Sequence, residues 1–269
     1  MAYDLSGKVA IVTGSSSGMG QSIAVHLARQ GAKVTLCGRD SGRLAAVKEE
    51  CVTCSKGGPE SFLTVQGDVT QAEVRQAIVL QTLTTFGQLD ILVNNAGTFD
   101  PRAGTLTATP EIYDRMMDTN VKAVFFLIQN AVPYLEQSKG CIVNISSVMS
   151  EMAAAPSVLY PVSKAAIDHL TRCLALDLGA KGIRVNAVNP SFAPTRIWRD
   201  FGDKAQEMMK KFAEKDGPDH PLHGRCISPH NVAELVAFLA SPSAALLTGQ
   251  CIHLDAGRRF MGTYQVRQN

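Results

Sequence analysis

The sequence predicts a single α/β domain, a doubly wound parallel sheet of about seven strands with helices on both faces. Three observations lead there. Short β-branched runs alternate with longer segments of helical period along the 269 residues. The short runs are apolar throughout, as in strands buried on both faces. No linker or internal repeat divides the chain, so residues 1–269 read as one domain. Right-handed crossovers then make the doubly wound sheet the natural topology.

Strands are expected at Val9–Thr13, Lys33–Cys37, Phe62–Gln66, Ile91–Asn94, Cys141–Ser146, Arg184–Val188 and Cys251–Leu254. Helices are expected at Met19–Gln30, Gly42–Cys51, Gln71–Phe86, Glu111–Leu135, Leu159–Leu178 and Asn231–Ala240. Residues 191–225 break the rhythm with a long connection at the carboxyl end of the sheet, where substrate selectivity usually resides. Ser228 reads as an N-cap, with Pro229 at the first helical position. Pro161 is tolerable only if its helix starts just upstream, with Ser157 near the cap.

Lys and Arg number 26 against 24 Asp and Glu, a net charge of +2, which gives no electrostatic case for nucleic acid or an anionic membrane. The longest apolar stretches are too short to span a bilayer, and the N-terminus runs directly into the first strand. A cytoplasmic protein is expected. Seven cysteines, an odd number, suit free thiols in a reducing compartment. Cys51 and Cys54 have C-x-x-C spacing but no second pair, and no metal site is expected there or at His220-Pro221-Leu222-His223.

Thr13-Gly14-Ser15-Ser16-Ser17-Gly18-Met19-Gly20 joins the first strand to the first helix. Glycines at such a turn let backbone amides approach a pyrophosphate, and the helix N-terminus adds oriented N–H groups. Tyr160 and Lys164, four apart in a segment of helical period, share one helix face. An ammonium there favours the phenolate of a residue whose reference pKa is about 10, each unit of depression being worth about 1.4 kcal/mol.

Thr-Gly-x-x-x-Gly-x-Gly, then Asn94-Asn95-Ala96-Gly97, then Tyr160-x-x-x-Lys164, resembles the short-chain dehydrogenase/reductase family from Gly7 to about Gly257. The resemblance implies a Rossmann-like fold and an NAD(P)-dependent oxidoreductase interconverting a carbonyl and an alcohol. It implies that Gly14, Ser15, Ser17, Gly18, Met19 and Gly20 hold the cofactor diphosphate and that Asp68 and Val69 lie beside the adenine. Asn94, Ala96 and Gly97 would support the sheet centre and admit the ribose. Pro190 and Phe192, after the sixth strand, would also meet the cofactor, and Thr195 would contact its carboxamide or diphosphate. Ser191 stands where many relatives have glycine, a departure because other residues resist φ > 0. At the end of the second strand Gly38 replaces the family's acidic residue and Arg39 follows. A guanidinium there suits a 2′-phosphate, so NADP is preferred, with NAD possible.

By the same resemblance, Tyr160 is the general acid/base, Lys164 lowers its pKa and binds cofactor, and Ser147 donates to the substrate oxygen. Asn120 would hold a water linking the lysine to solvent. Ser146 should face away from Ser147, because side chains alternate along a strand. Phe99, Met149, Met152, Phe192, Ile197 and Trp198 suggest a fairly hydrophobic ketone or secondary alcohol. Ala205, Met208, Met209 and Phe212 have helical spacing that suits packing against the body. A homo-oligomer, dimer or tetramer, follows from the family and from helices apolar around much of their girth. A lyase or isomerase on the same scaffold, or a non-catalytic binding protein, are the competing readings.

Overall fold

The computed structural model describes residues 3–153, 157–193 and 227–260, together with residues 195, 197, 207, 210, 214, 221 and 222. Seven parallel strands form one sheet among them: β1 (Val9–Thr13), β2 (Lys33–Gly38), β3 (Phe62–Gln66), β4 (Ile91–Asn94), β5 (Cys141–Ile145), β6 (Arg184–Pro190) and β7 (Cys251–Leu254). Their order is β3-β2-β1-β4-β5-β6-β7. After β3 the chain crosses to the other side of β1, which opens a crevice at the carboxyl ends of β1 and β4.

The apolar runs become strands because alternate residues serve opposite faces. Ala10 and Val12 of β1 enter one core with Ile91, Val93 and Val143. Ile11 enters the other with Leu92 and Ile142. Helices α1 (Gly18–Arg29) and α2 (Ser41–Cys54) cover the first face with the last helix, α7 (Pro229–Ala240). The second face carries α3 (Ala72–Phe86), α5 (Ala123–Ser138) and α6 (Leu159–Gly179).

The expected single helix Glu111–Leu135 is instead two. Helix α4 (Pro110–Met117) gives way to a widened π turn at Asp118–Lys122 before α5 begins. Asn120 sits inside that turn, buried. The break has a physical cause, because both ends of the Asn120 amide bind groups outside the helix, as set out below.

Helix α6 starts at Leu159, as the sequence reading expects. Pro161 falls in its first turn, where an N–H has no helical partner to lose. Ser157 does not cap the helix; its hydroxyl donates to the Asp100 carbonyl at 3.0 Å. Ser228 does cap α7, accepting from the Asn231 N–H while the Asn231 side chain accepts from Ser228 N–H. Cys51 and Cys54 are both free thiols.

Trp198, Ala205, Met208, Met209, Phe212, His220 and His223 lie outside the described residues. Among the described residues no helix is long and apolar enough to cross a membrane.

Candidate active site

A cavity of about 610 Å³ opens at the carboxyl ends of the strands, running from Gly38 and Arg39 past the glycine turn to Ser147, Tyr160 and Lys164. The turn is built by β1 and braced by β4. Gly14 and Gly18 take φ of 64° and 61°, a region other residues resist. A Cβ on Gly20 would lie 2.3 Å from the Gly14 carbonyl oxygen. Asn95 donates to the carbonyls of Thr13 and Gly14 at 2.8 and 3.2 Å, and the Thr13 hydroxyl accepts from Asn95 and Ala96 N–H at 3.0 Å.

Ser17, at the N-cap of α1, makes no side-chain capping bond, and the first turn holds no acidic residue. Ser17, Gly18, Met19 and Gly20 line the cavity, so the positive end of α1 meets it without a competing carboxylate. That cradle fits an anionic diphosphate.

At the far end, a Cβ on Gly38 would stand 3.1 Å from the Ser16 hydroxyl, so the backbone there approaches closely. Arg39 and Arg43 both line this end. Arg39 is mostly exposed and sits 3.9 Å from Asp68. Asp40 is occupied, accepting from the Arg43 N–H at 2.9 Å as the cap of α2 and pairing with its guanidinium at 2.9 Å. Sequence reasoning passed over Arg43; its place in the first turn after the second strand was the available signal.

Asp68, Val69, Ala96, Gly97, Pro190, Phe192 and Thr195 also line the cavity, with Gly14. Ser15 and Asn94 do not. The Ser15 hydroxyl accepts from Cys37 N–H at 2.9 Å, tying the turn to β2. Asn94 donates to the Asn144 side chain at 2.9 Å across β4 and β5. Ser191 has no positive φ; its N–H donates to Leu254 at 3.0 Å, continuing the ladder between β6 and β7.

Ser147 follows β5, its hydroxyl accepting from Met149 N–H at 3.2 Å, and it lines the cavity together with Tyr160. Ser146 faces away, donating to the Lys164 carbonyl at 3.2 Å. The Tyr160 ring meets Phe99 edge-on at 5.3 Å. Lys164 is buried, 5% exposed, with Nζ 5.7 Å from the Tyr160 ring centre.

The electrostatics differ from the sequence expectation. Burial of its hydroxyl pushes the Tyr160 pKa up to about 12, opposed by the Ser147 hydroxyl. Burial pulls Lys164 down to about 8, opposed by the Asp168 carboxylate. Among the protein's own groups, desolvation is the largest influence on the phenol.

Asn120 lies behind this pair. Its Oδ1 accepts from Thr98 N–H at 2.8 Å, and its Nδ2 donates to the Thr98 carbonyl and the Ser163 hydroxyl, both at 3.0 Å. Both Nδ2 hydrogens are thus committed, while Oδ1 accepts from Thr98 N–H with one of its two lone pairs. Arg115 and Arg258, which the sequence did not single out, also line the cavity, as do Phe99, Met149, Met152 and Ile197.

The comparisons agree with this architecture. A family model described as enoyl-(acyl carrier protein) reductase matches residues 14–259. A 3-oxoacyl-[acyl-carrier-protein] reductase of Staphylococcus aureus is 38% identical over 253 residues, covering 93% of this chain and 97% of its own. A short-chain dehydrogenase/reductase of unknown function from Caenorhabditis elegans, solved with cofactor, is 34% identical and superposes with a TM-score of 0.88, covering 97% of this chain and 98% of that one. A 3-ketoacyl-(acyl-carrier-protein) reductase from Brucella melitensis, solved with NADH, is 31% identical with a TM-score of 0.83, covering 95% and 99%. With the glycine turn, the Ser147, Tyr160 and Lys164 cluster and these likenesses in hand, the chain belongs to the short-chain dehydrogenase/reductase family of oxidoreductases.

Proposed function

We propose that the protein is an NADP(H)-preferring oxidoreductase interconverting a ketone or aldehyde and an alcohol, with Tyr160 as general acid/base. The observation that carries this reading is one continuous cavity. It joins an arginine-flanked end at Gly38 to the Ser147, Tyr160 and Lys164 cluster.

The nicotinamide dinucleotide supplies or accepts the hydride when bound. The glycine turn and the start of α1 would hold its diphosphate, with Arg39 and Arg43 meeting a 2′-phosphate. Ser147 donates to the substrate oxygen and orients it toward the phenol. Tyr160, held protonated by burial, is ready to give its proton to a carbonyl oxygen during reduction. Lys164 holds positive charge beside the phenol and so favours the phenolate left behind.

Phe99, Met149, Met152, Phe192 and Ile197 give the reacting end an apolar lining, which suits a fairly hydrophobic small molecule. Tyr113, Phe125, Phe126, Val162 and Leu176 are exposed on α4, α5 and α6, which supports a homo-oligomer, dimer or tetramer.

The test is a spectrophotometric screen of ketones and alcohols with NADPH/NADP and NADH/NAD in parallel. NADPH oxidation with hydrophobic ketones is the expected result. Turnover without any change in cofactor absorbance would instead assign a dehydratase or epimerase. A preference for small hydrophilic sugars would overturn the substrate class.

A further inference from the structure

Asp168 lies one helical turn beyond Lys164 on α6, on the same buried face, and is 4% exposed. Its Oδ2 accepts from Asn189 Nδ2 at 2.7 Å, and its Oδ1 is buried with no hydrogen-bond partner among the described residues. Asn189, on β6 and fully buried, also directs Nδ2 to the Ser147 carbonyl at 3.3 Å and the Ser150 hydroxyl at 2.9 Å. One amide therefore links the carboxylate of α6 to the segment that carries Ser147.

A purely structural role does not call for a charge here. An asparagine at 168 would accept the same bond from Asn189, whereas a buried carboxylate with an unbonded oxygen is costly. The charge has a use, however, because Lys164 is buried and its ammonium needs a counter-charge.

We infer that Asp168 is a positioning residue of the reaction centre: its charge keeps Lys164 an ammonium group, and its bond to Asn189 braces the Ser147 segment. The inference rests on the reaction proposed above for these residues. The charges around the pair are few. Lys164 shares its helix with Tyr160 on one side and Asp168 on the other. From β7, Cys251 places its Sγ 3.7 Å from the Asp168 carbonyl, and Arg172, one turn further along α6, lies 3.6 Å from that sulfur. The groups facing Lys164 from the π turn and β5, Asn120 and the Ile145 carbonyl, are neutral.

Two measurements test the two halves. The protein without substrate, labelled with ¹³C-lysine, is titrated by NMR, with Lys164→Met identifying the Lys164 signal. Asp168→Asn is expected to lower the Lys164 midpoint by one pH unit or more, a loss of ammonium that approaches tenfold above about pH 9. A midpoint within 0.3 pH unit of the wild type overturns the charge role. Should Asp168→Asn not fold, Asp168→Leu, which also removes the charge, takes its place in the same titration. For the brace, Asn189→Ala is expected to leave the Lys164 midpoint in place while cutting kcat about tenfold with little change in KM. A wild-type kcat overturns it. Tyr160→Phe, run alongside, separates the readings: retained turnover there contradicts the proposed reaction, whereas the lysine titration reads the inference without any substrate.

Discussion

The ammonium of Lys164 donates to the carbonyl of Ile145 at 2.9 Å, anchoring the lysine to the carboxyl end of β5. Tyr160 stands one turn earlier on α6, and the hydroxyl of Ser146, which follows that same strand, donates to the Lys164 main-chain carbonyl at 3.2 Å. Strand and helix therefore meet through two separate links, and the spacing of phenol and ammonium is fixed by the fold rather than by direct contact between them.

On the proposed reaction, in which Tyr160 gives its proton to the substrate oxygen, Tyr160→Phe is expected to reduce kcat by about 10²–10⁴-fold. Cofactor dissociation, followed by fluorescence, is expected to change by no more than about threefold, since the ring and its contact with Phe99 remain. Retained kcat would remove Tyr160 from the chemistry.

The depressed pKa of Lys164 carries a stability consequence. Between pH about 8, its value in the fold, and about 10.5, the ordinary lysine value, the unfolded chain binds more protons than the native one. Stability contributed by this site therefore rises with pH across that window. Relative to Lys164→Met, the wild type is expected to gain about 3 kcal/mol from pH 7 to pH 11, at about 1.4 kcal/mol for each pH unit of the window. Urea unfolding at several pH values measures the difference, and parallel curves would contradict it.

Arg39 and Arg43 supply the positive charge at the Gly38 end of the cavity. Replacing both with alanine is expected to raise the KM for NADPH by about 10–100-fold, the worth of charged hydrogen bonds at about 1.5–3 kcal/mol. The KM for NADH should stay within about threefold. Equal loss with both cofactors would assign the arginines to folding.

A methyl group at Gly20 would sit 2.3 Å from the Gly14 carbonyl, deep inside van der Waals contact with backbone. Gly20→Ala is expected to cost about 1–3 kcal/mol or more through strain, and to weaken cofactor binding further by displacing the turn. Thermal unfolding and a cofactor titration report the two effects separately.

Much of this was legible in the residues themselves. The β-branched runs marked every strand of the sheet to within two residues, because burial on both faces demands an unbroken apolar run. The glycine turn was legible because its backbone admits few other residues. The split of Glu111–Leu135 was not, since the apolar spacing continues through it and the cause lies in Thr98 and Ser163, distant in sequence. Asp168 escaped notice for a similar reason. A carboxylate in a helix ordinarily reads as a solvated face, and only the arrival of Asn189 from β6 makes it an interior group. The sequence reading lowers the Tyr160 pKa where the fold raises it, because desolvation is a property of the assembled cavity.

The π turn at Asp118–Lys122 separates two rods that a regular helix would have locked together. Helix α5 takes its rotation from the sheet core, where Leu127, Ile128 and Ala131 are buried, whereas α4 takes its own from Ile112 and Met116 packed with Ala103. Deleting one residue from the turn would restore ordinary winding and swing α4 by roughly 100° about the common axis, one residue's share of a 3.6-residue turn. The length of the chain at this point therefore decides which side of α4 meets the body of the protein.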